Sequence, residues 1–193
     1  NHTAEAGADG PILSLRGLDN LAYYRTVADK PQVYINDTGC GNTINIDHPK
    51  TLKLVLDSLR YWVQVMGVDG FRFDLATILG RNAHGFNSAH AFFQAIEQDP
   101  VLSRVKLISE PWDIGPGGYQ LGAFAAPWRE WNDQYRDVIR RFWQSEEGVI
   151  ANVAKRIHGS FDIFEHSQRG PLHSITFITR HDGFTLADLV RYE

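Results

Sequence analysis

The stretch VDGFRFDLA, Val68 to Ala76, decides the fold. If this stretch is a β-strand, alternate side chains point to opposite faces, so Arg72 and Asp74 share one face. The apolar side chains share the other face: Phe71, Phe73 and Leu75. Burying an arginine and a carboxylate side by side is costly unless the pair has a use. The stretch therefore predicts a strand that carries a functional site.

Composition sets the broad class of the protein. The chain has 193 residues, is 43% hydrophobic and 22% charged, and has a formal net charge of -4. This length and composition predict a globular domain with a sizeable core. Without runs of Lys and Arg, neither nucleic acid nor an anionic membrane is expected as a partner. No apolar run approaches the roughly 18 residues of a membrane span. The single cysteine, Cys40, excludes an internal disulfide and suits a reducing compartment.

The first regular element is expected after a long loop. Residues 1–48 are rich in Gly, Asp and Asn and are predicted to be irregular, which is typical of a functional loop. A helix is then predicted, with Asp47 as its cap, Pro49 in its first turn and Gly67 as its stop. Apolar residues recur along it at helical spacing: Leu52, Val55, Leu56, Leu59, Trp62, Val63 and Met66.

Strands and helices alternate through residues 49–193. A second helix is predicted from about Ser88, burying Ala89, Phe92, Phe93 and Ile96, and a third buries Tyr135, Val138, Ile139 and Phe142. Further strands are predicted at VKLISEP (105–111), at 130–132 and at ITFIT (175–179). This alternation predicts parallel pairing and an α/β fold, with residues 1–193 forming a single domain.

Three acids stand where predicted strands end. Asp74, Glu110 and Asp182 each come directly before a loop or helix, and Glu110 shares a strand face with Ile108. In a (β/α)8 barrel, the active site lies at the C-terminal ends of the strands. Any one of these acids could instead cap a helix or pair with an arginine. Three acids at the ends of successive strands instead favour an active site.

The residues then show a family resemblance. GFRFDLA, LISEPWD and ITRHDGFTL resemble three successive signature segments of the α-amylase superfamily (glycoside hydrolase family 13), and Asn1-His2 resembles the end of an earlier one. SLRGLDNLAYYR, GCGNTINIDHP, SEPWDIGPGGYQ and EWNDQYRDVIRRFW resemble its isoamylase and glycogen-debranching (GlgX-type) branch. The resemblance implies a partial (β/α)8 TIM barrel, roughly strands four to seven with their helices.

The resemblance also implies a division of labour. Asp74 would be the nucleophile that forms a glycosyl-enzyme, and Glu110 the general acid and base, with the two carboxyl groups about 5–5.5 Å apart. Arg72 would keep Asp74 ionised, and Asp182 would stabilise the transition state. Arg180 stands where alanine is common in the family. The implied substrate-binding residues are Asn1, His2, Arg72 and His181. Trp112 is a further candidate, because an aromatic side chain in a Gly-rich loop either stacks on a sugar face or anchors the packing of the loop.

The implied function is that of a retaining glycoside hydrolase that cleaves α-1,6 branch linkages in glycogen-type limit dextrins, in the cytoplasm. Its expected partners are a branched α-glucan or limit dextrin and the remainder of its own barrel, with no cofactor. The histidines show no metal-binding spacing, so no metal is expected. Two alternatives stay open. The chain could be an incomplete module that binds glucan weakly or self-associates through open sheet edges, or it could belong to another hydrolase or transglycosylase of the superfamily.

Overall fold

The computed structural model describes residues 5, 7, 9–189 and 191. The chain forms two compact units, Asn1–Gln120 and Leu121–Glu193. The helices of the first unit are α1 (Leu15–Tyr23), α2 (Pro49–Gln64) and α3 (Ala91–Gln98), with short 3-10 turns at Ala76–Gly80 and Leu102–Arg104. Its strands are β1 (Thr26–Val27), β2 (Lys30–Tyr34), β3 (Gly70–Phe73), β4 (Arg81–Asn82), β5 (Gly85–Phe86) and β6 (Lys106–Ser109).

Strands β3 and β6 form a parallel pair that organises this unit. Arg72 lies opposite Ile108, and Phe73 lies opposite Ser109. The strands approach so closely that a Cβ atom at Gly70 would lie 2.4 Å from the carbonyl oxygen of Lys106. The predicted parallel pairing of these two strands is therefore confirmed. The short pairs β1–β2 and β4–β5 are antiparallel.

Helix α2 follows the predicted apolar pattern only in part. Pro49 is its first residue, and Gly67 lies after its end with φ +74, a conformation that glycine adopts without strain. The predicted cap is wrong, because the imidazole of His48 accepts the amide of Lys50 at 3.3 Å. Asp47 instead contacts the imidazole of His90 at 2.7 Å. Leu56 is the buried member of the predicted apolar face, whereas Trp62 and Met66, near the end of the helix, are about half exposed.

Helix α3 begins three residues later than predicted. His90 caps it by accepting the amide of Phe92 at 3.2 Å, so Ala89 lies outside the helix and is exposed. The other predicted core residues are buried: Phe92, Phe93 and Ile96. The ring of Phe92 packs edge-on against Phe73 of β3, with 5.9 Å between ring centroids. This contact confirms that the apolar face of β3 packs against a helix.

Residues 1–48 were predicted to be irregular, and this is wrong for much of their described part. They contain α1 and the β1–β2 hairpin, although α1 is kinked at Asp19, whose backbone has non-helical angles. A buried carboxylate, Glu5, organises the segment. It accepts the amides of Leu13, Ser14 and Arg16 and the hydroxyls of Ser14 and Tyr24 at 2.7–3.2 Å. The glycine-rich composition of this segment gave no sign of the helix, the hairpin or the hydrogen bonds to Glu5.

The second unit contains its own parallel pair. Its strands are β7 (Arg129–Trp131) and β8 (Ser174–Ile175), and its helices are α4 (Asp133–Trp143), α5 (Ile150–Ile157), α6 (Phe161–Phe164) and α7 (Leu186–Leu189), with 3-10 turns at Glu165–Ser167 and Pro171–His173. Trp131 lies opposite Ile175. Asn132 caps α4 by accepting the amide of Tyr135 at 2.9 Å, and its side-chain nitrogen donates to the hydroxyls of Ser160 and Ser174.

The core of the second unit is small. Ile139 of α4 packs with Val149 and Val153, and Tyr135 and Val138 pack against this cluster as predicted. Phe142, predicted to be buried, is 38% exposed, because it lies at the end of α4 beside the exposed Trp143.

The predicted strand ITFIT is wrong beyond its first residue. Only Ile175 belongs to β8, and residues 176–179 are irregular. The carbonyl of Ile178 accepts hydrogen bonds from Nε and Nη2 of Arg140 at 3.0 and 2.5 Å. A guanidinium therefore satisfies this backbone oxygen in place of a neighbouring strand. Among the described residues, no helix has both the length and the apolar character to cross a membrane.

Candidate active site

The site in the first unit is centred on one arginine that reaches two carboxylates. At the end of β3, Nη1 of Arg72 donates to Oδ1 of Asp74 at 2.7 Å. Nη2 of the same guanidinium lies 3.1 Å from Oε1 of Glu110. Arg72 and Asp74 lie side by side, as the alternation of residues 68–76 predicted, although the strand ends at Phe73 and Asp74 begins the turn that follows. The β3–β6 register brings Glu110 to the same edge of the sheet.

The two acids differ in exposure. The side chain of Asp74 is 41% exposed, whereas that of Glu110 is 5% exposed. A carboxylate that reaches solvent can contact an incoming substrate directly. The geometry thus places two unlike carboxyl groups at adjacent strand ends.

Backbone groups of the β3 segment hold Glu110 in place. The amide of Leu75 donates to Oε2 of Glu110 at 2.9 Å. The main chain of Glu110 is fixed as well, because its amide donates to the carbonyl of Phe73 and its carbonyl accepts the amide of Ala76, at 3.0 and 2.9 Å. The segment that carries Asp74 therefore also orients Glu110.

Leu75 has a strained backbone at this point. Its φ of 45° and ψ of 50° are left-handed, a conformation that costs a non-glycine residue on the order of 1–2 kcal/mol. Strained residues of this kind cluster at functional sites, where the surrounding structure enforces them. Here the unusual turn directs the Leu75 amide to Glu110. A leucine gives no sequence signal of left-handed geometry, so sequence reasoning missed this residue.

Trp112 lies two residues beyond Glu110. It is half-buried at the base of the loop formed by residues 111–120. The side chain of its neighbour Asp113 is fully buried and forms an ion pair with Nε of Arg81 at 2.6 Å. This pair raises the pKa of Arg81 above its ordinary value, because the hydrogen bond to Asp113 outweighs the burial that alone would lower it. Sequence reasoning identified Trp112 but missed both partners of this ion pair.

Two other predicted site residues belong to the second unit. Asp182 and His181 are both exposed, and Oδ1 of Asp182 lies 2.6 Å from Nε of Arg180. The guanidinium of Arg180 lies over Trp131, 5.7 Å from its ring centroid, and the imidazole of His181 is 6.2 Å from the same ring. Asp182 and His181 are thus brought together within the second unit, and their assembly with Asp74 and Glu110 stays a prediction.

The remaining predicted residues cannot be placed. Asn1 and His2 lie outside the described residues. Within residues 5, 7, 9–189 and 191, no group of three or more His, Cys, Asp and Glu side chains could hold a metal ion.

Comparison with known proteins relates the whole chain to one group of enzymes. It is 53% identical over 192 residues to the glycogen operon protein GlgX homolog of Mycobacterium tuberculosis, covering 100% of this chain and 27% of that protein. It is 52% identical over 192 residues to the glycogen debranching enzyme of Serratia proteamaculans, covering 100% of this chain and 29% of that protein. The chain thus spans little more than a quarter of these relatives. No family model matches it.

Solved structures give the same relationship at the level of the fold. The pullulanase from Bacillus acidopullulyticus superposes with a TM-score of 0.67 and 28% identity, over 87% of this chain and 21% of that one. The pullulanase from Anoxybacillus sp. LM18-11 complexed with maltotriose gives 0.68 and 26%, over 88% and 25%. Together with the parallel β3–β6 pair, this likeness confirms the predicted partial α/β barrel.

Proposed function

Because this chain belongs to the α-amylase superfamily, in its isoamylase and glycogen-debranching branch, we propose that it forms part of a retaining glycoside hydrolase. The reaction proposed is cleavage of α-1,6 branch linkages in glycogen-type limit dextrins. The observation that carries the proposal is the guanidinium of Arg72, which reaches Asp74 at 2.7 Å and Glu110 at 3.1 Å. Two carboxyl groups at adjacent strand ends suit a double-displacement reaction.

The proposed roles come from the family resemblance, and exposure and contacts support them. Asp74, the more exposed acid, attacks the anomeric carbon and forms the glycosyl-enzyme. Glu110, held by the Leu75 amide, protonates the leaving oxygen and then takes a proton from the attacking water. Arg72 orients both carboxyl groups. Asp182 and His181, together with Asn1 and His2, contact the sugar that is being cleaved.

The substrate is proposed from the relatives and from the aromatic loop. The names of the relatives point to branched glycogen, and one structural neighbour is complexed with maltotriose. A half-buried indole such as that of Trp112 offers an apolar face to a glucose ring. We place the enzyme in the cytoplasm, and we propose that the remainder of its barrel completes the cleft.

The first test is loss of the nucleophile in the full-length protein that carries this chain. Asp74→Asn keeps the shape of the side chain but removes its charge, so release of reducing ends from a phosphorylase limit dextrin should fall by on the order of 10⁴-fold or more. Asp57→Asn, at an exposed acid of α2, is the matched control and should leave turnover unchanged. Near wild-type turnover in Asp74→Asn would overturn the assignment of the nucleophile.

A second test separates the two acids. In Glu110→Gln, hydrolysis of limit dextrin should nearly stop, because the leaving oxygen is no longer protonated. An α-maltosyl fluoride needs no such proton, so it should still glycosylate Asp74, and mass spectrometry of the tryptic peptide should locate the sugar there. Labelling of any other carboxylate would refute the assigned roles.

Analysis of the reaction products tests the linkage preference and separates a debranching hydrolase from other enzymes of the superfamily. The size of the isolated chain in solution tests the alternative of a self-associating module. A debranching hydrolase should release linear chains from branched dextrin faster than it cuts linear α-1,4 chains, and it should give no transfer products. Faster cutting of linear chains would favour another hydrolase of the superfamily. For the isolated 193-residue chain, elution of a dimer or larger species in size-exclusion chromatography would support the self-associating module.

A further inference from the structure

The loop that follows Glu110 is closed by backbone hydrogen bonds from the residues on both sides of Trp112. We define the Trp112 loop as residues 111–120. The carbonyl of Pro111 accepts the amide of Gln120 at 2.7 Å, and the amide of Asp113 donates to the carbonyl of Gly118 at 3.1 Å. The residues before and after Trp112 are therefore both bonded across the loop. These bonds hold the backbone on either side of Trp112.

A buried ion pair forms the strongest anchor of the loop. Nε and Nη2 of Arg81 donate to Oδ2 and Oδ1 of Asp113, both at 2.6 Å, in a two-pronged arrangement. Nη2 also donates to the carbonyl of Pro116 at 2.9 Å. Arg81 is 5% exposed, and the side chain of Asp113 is 0% exposed. Arg81 begins β4, so the pair ties the loop after Glu110 to the chain segment that follows β3.

A second acid, Asp37, lies against the same loop. The amide of Ile114 donates to the carbonyl of Asp37 at 3.1 Å, and Oδ2 of Asp37 lies 3.7 Å from Nη1 of Arg25. Gly115 is enclosed between these charges, because a Cβ atom there would lie 2.6 Å from Oδ1 of Asp37 and 2.9 Å from Nη2 of Arg81. The loop therefore packs closely at Gly115 between the carboxylate of Asp37 and the guanidinium of Arg81.

Stability alone is a weak reason for so buried an ion pair. Replacing such pairs with apolar residues of similar volume is often neutral or stabilising, because both ions lose their hydration. What an apolar pair cannot reproduce is the fixed geometry of a two-pronged guanidinium–carboxylate contact. Asp113 directly follows Trp112 in the chain and lies three residues after Glu110, so the pair fixes the backbone beside both residues.

We propose that Arg81 and Asp113 are positioning residues that hold Trp112 as a stacking platform for a glucose unit of the α-glucan substrate. The inference rests on the proposed glucan-cleaving function. Arg81 and Asp113 need not touch the sugar. They act through Trp112, and their substitution therefore weakens glucan binding by misplacing the indole.

The test is a double-mutant cycle measured by binding, in the full-length protein with Asp74→Asn as background so that no substrate is consumed. Isothermal titration with maltotetraose gives the dissociation constant. Trp112→Ala should raise it about tenfold, the value of one lost aromatic contact. Arg81→Lys keeps the charge but loses the two-pronged contact, and it should raise the constant by a similar factor. In the Trp112→Ala background, Arg81→Lys should have no further effect.

The control is another arginine–aspartate pair in the first unit, in which the aspartate is buried and the arginine is 39% exposed. Nε of Arg60 contacts Oδ2 of Asp99 at 2.6 Å, and the side chain of Asp99 is 2% exposed. Arg60→Lys should leave maltotetraose affinity unchanged. Asp113→Asn is a second variant of the Arg81–Asp113 pair. It replaces Arg81→Lys in the cycle with Trp112→Ala if Arg81→Lys does not fold.

The outcomes separate this inference from the proposed function. Wild-type affinity in Arg81→Lys, or effects of Arg81→Lys and Trp112→Ala that simply multiply, would overturn the positioning role. Turnover of limit dextrin that persists in Asp74→Asn would overturn the assigned nucleophile. Maltotetraose has no α-1,6 branch, so the binding cycle at Trp112 would still decide the role of the Arg81–Asp113 pair.

Discussion

Glu5 should make the first unit sensitive to acid. It is 0% exposed, and burial by itself opposes its ionisation. Hydrogen bonds from the Tyr24 hydroxyl and from the amides of Ser14 and Arg16 outweigh burial and lower its pKa from 4.5 to about 2. A carboxyl group whose pKa is lowered on folding adds stability above its unfolded pKa. That stability is lost as the pH falls from 4.5 towards 2.

The magnitude follows from the two pKa values of Glu5. At ~1.4 kcal/mol for each pH unit between 4.5 and about 2, ionised Glu5 contributes about 3 kcal/mol at pH 7. At pH 3 the unfolded form is mostly protonated and the folded form mostly ionised, so the contribution falls to about 1.4 kcal/mol. Glu5→Gln removes the charge and turns an NH2 group towards hydrogen-bond donors. The variant should therefore be strongly destabilised at pH 7 and much less so at pH 3.

Amide hydrogen exchange in the full-length protein measures this effect locally. Protection of the amides of Leu13, Ser14 and Arg16, corrected for intrinsic exchange rates, should fall on the order of 100-fold in Glu5→Gln at pH 7. The difference from wild type should shrink to about 10-fold at pH 3. Glu147→Gln, at an exposed acid, is the control and should change protection at neither pH. An equal loss of protection at pH 7 and pH 3 would refute the assigned role of the Glu5 charge.

Three further substitutions test the packing described above. Gly70→Ala forces a methyl group against the backbone of the neighbouring strand and should lower the free energy of unfolding by about 1–3 kcal/mol in urea denaturation. Gly170→Ala, where nothing lies within 4 Å, should change it little, and equal losses in the two variants would contradict the close approach. Leu75→Val places a β-branched residue in a left-handed conformation and releases its amide from Glu110, so it should lower kcat about tenfold or more on limit dextrin. Unchanged kcat would show that this amide does not orient the acid. Asn132→Ala removes a helix cap and two further hydrogen bonds, and it should cost about 2 kcal/mol of stability by urea denaturation, whereas a change near zero would show that neighbouring groups replace the cap.

Much of the first unit could be predicted because its signals are local. Alternation along residues 70–74 places Arg72 and Asp74 on one face whatever surrounds the strand, and the structure confirms this contact. The spacing of Phe92, Phe93 and Ile96 likewise fixes the buried face of α3. Periodicity depends only on backbone geometry, and tertiary contacts do not alter it.

Interactions between distant residues could not be predicted from these patterns. The Arg81–Asp113 pair joins residues 32 apart, and Glu5 accepts the hydroxyl of Tyr24 from 19 residues away. Most donors to Glu5 are backbone amides, which every residue except proline carries, so composition gives no sign of them. The prediction for β8 failed for a related reason, since an arginine takes the place of a strand partner.

The register of β3 and β6 also limits how the sequence can change in length. Arg72 lies opposite Ile108, and side-chain direction alternates along each strand, so one inserted or deleted residue would turn Asp74 or Glu110 to the opposite face. Homologues that keep the reaction should therefore show no length variation within residues 70–74 or 106–110, although residue types there can change. For protein engineers, new loops can be grafted only where the chain has left these two strands.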